Sequence, residues 1–100
     1  MKNENQEMLK KMPVPYQALR YDLDALRAWT YYVTKFLSEE KLTRQHVKII
    51  TFVCLSESAS YNKETKLANF YLYRATICAD ESGLDLIRLI MGVSKYLNKQ

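Results

Sequence analysis

The chain has 100 residues, 48% of them hydrophobic and 26% charged, with a formal net charge of +4. That balance fits one globular domain and excludes a disordered or collagen-like chain. The positive charge is spread thinly, unlike the concentrated basic stripe of a dedicated nucleic-acid-binding domain.

Only two Gly and two Pro occur, and both prolines, Pro13 and Pro15, lie near the start. With almost no punctuation beyond Pro15, long helices are favoured over many short strands. No run approaches the roughly twenty apolar residues that cross a bilayer, and the most apolar one, 47–55, is interrupted by Lys48 and Thr51. Residues 1–12 are polar and charged, unlike a secretory signal, so a cytoplasmic chain without a membrane span is expected. Cys54 and Cys78 sit in apolar stretches and are expected as buried free thiols. Eight tyrosines stand out, since tyrosine combines apolar area with a hydroxyl and suits half-buried and interface positions.

Residues 1–15 read as a flexible or partner-docked polar tail, with Met8, Leu9 and Met12 as apolar anchors. Residues 16–100 read as a single helical domain. A first helix is predicted over 16–37, the longest element, with Leu19, Leu23, Leu26, Val33 and Leu37 facing inward. Asp22 projects into that apolar sector and calls for an internal arginine or lysine, or an exposed helix end. A second helix starts at Thr43, a good N-cap, and is apolar around most of its girth through Leu55, which makes it the central helix. Residues 56–61 are polar and read as a connection.

A third helix is predicted over 63–79, with Leu67, Tyr71, Ala75 and Cys78 inward. Phe70 and Ile77 are expected as core in a helix covered on two sides, with Tyr73 turned further toward solvent. Ser82 and Asp85 form a capping-box pattern ahead of a fourth helix. There Leu86, Ile90, Val93 and Leu97 face inward, and Arg88, Gly92, Lys95 and Lys99 align on the outer side. Four helices joined by short loops make an all-α, compact four-helix bundle.

Catalytic signals are thin. The single histidine, His46, has no orienting partner in the pattern, and Cys54 two turns away is too distant for a nucleophile–base pair. No CxxC, HxxxH, EF-hand or phosphate loop occurs, so no metal or cofactor is expected, and the chain reads as a non-catalytic protein. Two candidate binding surfaces follow. On helix 4, Arg88, Lys95 and Lys99 share one stripe with Gly92, a helix-interior glycine that suits phosphate contact or the close crossing of another helix. On helix 3, Lys66, Tyr73 and Arg74 interleave cations with aromatic surface. Helices 2 and 3 would form a helix-turn-helix only if helix 3 began as early as Ser58.

The sequence therefore points to a small accessory or regulatory protein that docks on a larger protein or nucleoprotein assembly. Direct nucleic-acid binding, as a helix-turn-helix regulator or through the basic face of the last helix, is the alternative. Helix 3 is apolar around most of its girth, which also admits a homo-oligomer.

Overall fold

The computed structural model describes residues 17–99; the expected tail over 1–15, with Met8, Leu9 and Met12, lies outside them. A single 3-10 turn, Leu19–Tyr21, leads to Asp22, whose extended backbone (φ −129°, ψ 91°) separates it from the first helix, α1, Leu23–Ser38. The long helix predicted over 16–37 is thus broken at Asp22, because that carboxylate is a cap. Its Oδ1 accepts from the Ala25 N–H at 3.0 Å and from the Ser58 hydroxyl at 2.8 Å. Asp22 does sit on the inner side, and of the expected alternatives it has the helix end, with a serine in place of an arginine or lysine. The break also changes which leucines point inward: Leu19 is buried, while Leu23 and Leu37 are exposed; Ala25 is buried on the expected inner face, joined there by Ala28.

The second helix, α2, spans Arg44–Tyr61, with Thr43 accepting from the His46 N–H as its N-cap. The stretch 56–61, expected as a connection, is its last turns. Polar residues persist in the helix because each buried hydroxyl has a partner on another element. Ser56 donates to the Ala68 carbonyl at 2.8 Å, and Ser58 donates to Asp22. Every residue of α2 from Ile49 to Ser56 is buried, so its whole circumference is interior.

Asn62, Lys63 and Glu64 turn the chain, with Lys63 in the left-handed region (φ 63°), into α3, Thr65–Ser82. Gly83, also left-handed (φ 73°), ends α3, and Asp85 caps α4, Leu86–Asn98, by accepting from the Arg88 N–H. Ser82 does not cap α4 as expected. It is the last residue of α3, and its hydroxyl accepts from the Leu84 N–H.

These helices form an all-α four-helix bundle, with no strand among the described residues. Central α2 packs against the other three, which meet one another only along their edges. Helices α2 and α3 are antiparallel over their full length: Ser56 meets Ala68 at one end, and Gln45 donates to the Cys78 carbonyl at the other. Helices α1 and α2 are antiparallel as well, joined by Asp22–Ser58 near one end and by Trp29 Nε1 donating to Thr51 Oγ1 at 2.8 Å further along. The Thr51 hydroxyl passes its own proton to the Val47 carbonyl, so it is satisfied as donor and acceptor. No helix among the described residues is long and apolar enough to cross a membrane.

Replacing Asp22 by Ala removes the α1 cap and leaves the Ser58 hydroxyl without its acceptor. Stability should fall by about 1–3 kcal/mol, read as a lower urea midpoint with unchanged helical content in the folded baseline.

Candidate functional site

The polar and titratable groups inside the bundle are engaged in packing. Cys54 is buried on α2, and burial, with Asp22 and then Glu57 adding to it, pushes its thiol well above the ordinary range. It is held as a neutral thiol, the opposite of what a nucleophile requires. His46 sits at the other end of α2: its Nδ1 donates to the Lys41 carbonyl at 2.6 Å, and its ring meets Phe36 edge-on. Cys54 and Cys78 are both free, the first buried and the second half-buried. Among the described residues, no three histidine, cysteine or acidic side chains cluster as metal ligands would.

Gly92 owes its place to a helix crossing. A methyl group at that position would collide with the hydroxyl of Tyr32 on α1. The neighbouring Tyr31 stacks on Tyr96 of α4, ring centroids 5.1 Å apart, so the α1–α4 seam is built largely from tyrosine. Burial raises the Tyr32 phenol, with Tyr31 and Cys54 as smaller contributors. Of the predicted outer stripe, Arg88, Lys95 and Lys99 are exposed, whereas Gly92 is half-buried at its edge.

The surface of α4 also holds what the charge pattern does not reveal. Ile87 is 71% and Met91 66% exposed, and they run beside the cations. Arg88 lines an open groove of about 520 Å³ with Phe36, Leu84 and Leu89, where the cations Lys35 and Lys41 are interspersed with Glu39 and Asp85. Arg88 is only loosely held by Asp85, at 3.9 Å. Lys95 and Lys99 flank a second groove, where Met91 and Ile90 adjoin Glu57 of α2. Burial lifts the Glu57 carboxyl above its ordinary value, and a hydrogen bond from Ser94 opposes that shift.

On α3 the structure corrects the expected core. The buried line is Ala68, Tyr71, Ala75 and Ala79; Leu67 is exposed and Cys78 half-buried. Phe70 (55%), Tyr73 (66%) and Ile77 (45%) are all exposed, so Phe70 and Ile77 do not belong to the core. The reason is that, among the described residues, α3 is covered mainly on one side, by α2, and uses its small residues to approach that helix closely. Lys66 and Arg74 are exposed with them, and the Arg74 guanidinium lies over the Phe52 ring, 5.8 Å from its centroid. The seven predicted site residues therefore fall on two separate helix faces. The third helix begins at Thr65 and runs antiparallel to α2, so the early start at Ser58 that a helix-turn-helix needs is not met.

Comparison with known protein families, curated proteins and solved structures gives no match.

Gly92→Ala should be better tolerated in a Tyr32→Phe background, where the obstructing oxygen is gone, by about 1 kcal/mol in a double-mutant cycle of urea midpoints. The raised Cys54 thiol makes a pH prediction. Its contribution is complete below the unfolded thiol value of about 8.5 and fades as pH rises toward the folded one, so stability should decline by about 2 kcal/mol between pH 8.5 and 10. A Cys54→Ala variant, less stable at neutral pH, should lose less over the same interval.

Proposed function

We propose that this protein is a small non-catalytic accessory or regulatory subunit, acting in the cytoplasm, that docks on an acidic, partly apolar surface of a larger protein assembly through the outer face of α4. The observation that carries this reading is the pairing of exposed Ile87 and Met91 with Arg88, Lys95 and Lys99 on one helix. Large apolar side chains flanked by cations are what an amphipathic acidic partner would bury and neutralise. A phosphate backbone gains from the cations but has no use for Ile87 and Met91. The thiol-bearing, disulfide-free bundle is in keeping with a reducing compartment.

Direct binding of nucleic acid through the same three exposed cations is the second reading, favoured by their alignment along a single stripe.

The two separate in a mobility-shift assay with generic DNA and RNA at low and high salt, run beside co-purification of tagged chain with its bound protein. Protein docking predicts no nucleic-acid shift, and a loss of about tenfold or more in partner affinity for Ile87→Asp or Met91→Asp. A salt-sensitive shift that Arg88→Glu or Lys95→Glu abolishes would replace docking by nucleic-acid binding.

A further inference from the structure

Among the described residues, no element covers the outer face of α3. At about 100° per residue, Lys66, Phe70, Tyr73, Ile77 and Glu81 lie on the side of the helix opposite the buried line Ala68, Tyr71, Ala75 and Ala79. All five are exposed. Single exposed apolar residues are ordinary, but a continuous stripe of Phe, Tyr and Ile along about two turns is characteristic of an interaction surface.

The order of residues along the stripe identifies what it fits. Taken about the point midway between Tyr73 and Arg74, the face is complementary to its own reverse. Lys66 stands as far from that point on one side as Glu81 on the other, and Phe70 as far as Ile77. A two-fold axis through the point and perpendicular to α3 would set a second α3 antiparallel to the first. Lys66 of each copy would then lie opposite Glu81 of the other, Phe70 opposite Ile77, and the two Tyr73 rings would meet beside the axis. Neither Lys66 nor Glu81 forms an ion pair among the described residues, so both charges are available at the two ends of the apolar strip. Arg74 leans over Phe52 at the edge of the stripe, so the axis that brings the two Tyr73 rings together sets the two Arg74 side chains on its other flank.

An isologous interface requires this property, since each patch must complement itself under rotation. A partner of unrelated sequence would not require it. The geometry points to a homodimer through α3, with the two copies antiparallel and the axis passing between Tyr73 and Arg74. This interface is on a different helix from the α4 docking surface, so Ile87→Asp and Met91→Asp should leave it intact, and either idea can fail without the other.

Sedimentation equilibrium of the full chain tests it. The wild type should show a concentration-dependent mass approaching twice 11.8 kDa. Phe70→Glu should be monomeric, with an unchanged circular-dichroism spectrum to show that the bundle survives a substitution at an exposed site. Glu81→Lys sets lysines against each other only in the antiparallel arrangement and should weaken the dimer about tenfold. The double variant Lys66→Glu/Glu81→Lys restores opposite charges and should recover the dimer. A wild-type chain that stays monomeric up to about 1 mM, a dimer indifferent to Phe70→Glu, or a charge swap that fails to rescue would each overturn the proposal.

Discussion

The whole arrangement depends on α2 being buried on every side. A helix with apolar groups around its entire girth has no solvent face to offer and is stable only when surrounded. Ile49, Ile50, Phe52, Val53, Cys54 and Leu55 cover that circumference in little more than one and a half turns, and α1, α3 and α4 each take one sector of it. Because the centre is so apolar, each outer helix has to commit only one narrow face. Helix α3 does so largely with alanines, which let the backbones approach closely while the bulky side chains remain outside.

Hydrophobic burial does not by itself fix how helices slide along one another, and here polar pairs set the alignment. Asp22 with Ser58, Trp29 with Thr51, Ser56 with the Ala68 carbonyl and Gln45 with the Cys78 carbonyl each join α2 to a neighbour at a defined level. A buried hydroxyl or indole N–H that lost its partner would cost about 1–3 kcal/mol, so a one-turn slip of α1 or α3 would leave several such groups stranded. Among the described residues no buried side-chain polar atom is left without a hydrogen bond, which is the outcome such pinning requires. Gly92 performs the corresponding task sterically, since only a residue without a side chain leaves room for the Tyr32 hydroxyl where α1 meets α4.

A scaffold satisfied from the inside leaves its outward faces free for other uses. The interior thiol is held protonated by its apolar surroundings, and His46, whose Nδ1 donates to the Lys41 carbonyl, lines the groove beside Arg88. What remains distinctive lies outside, on α3 and α4. Each presents large apolar groups next to cations, but the two differ in symmetry. The α3 stripe matches its own reverse, with opposite charges at its two ends, whereas the α4 stripe is cationic throughout. The partners proposed for them differ accordingly, a second copy for α3 and an acidic surface for α4.

Much of this was legible in the amino-acid order. Helical periodicity, scarce glycine and proline, and the Thr43 cap determined the number of helices, their class and the central place of α2, because those signals are local and act within one or two turns. The exposure of Arg88, Lys95 and Lys99 was legible for the same reason, since charged groups opposite an apolar stripe have nowhere else to go. Only the tertiary structure decided the rest. The serines at 56 and 58 read as loop until their acceptors, the Ala68 carbonyl and the Asp22 carboxylate, are known, because a polar group is at home in a core only when it is hydrogen-bonded, and theirs are bonded across to other elements. Phe70 and Ile77 read as core because hydrophobicity reports a preference for burial. Whether a second helix is present to bury them depends on the packing of the whole chain, and among the described residues none lies on that side of α3.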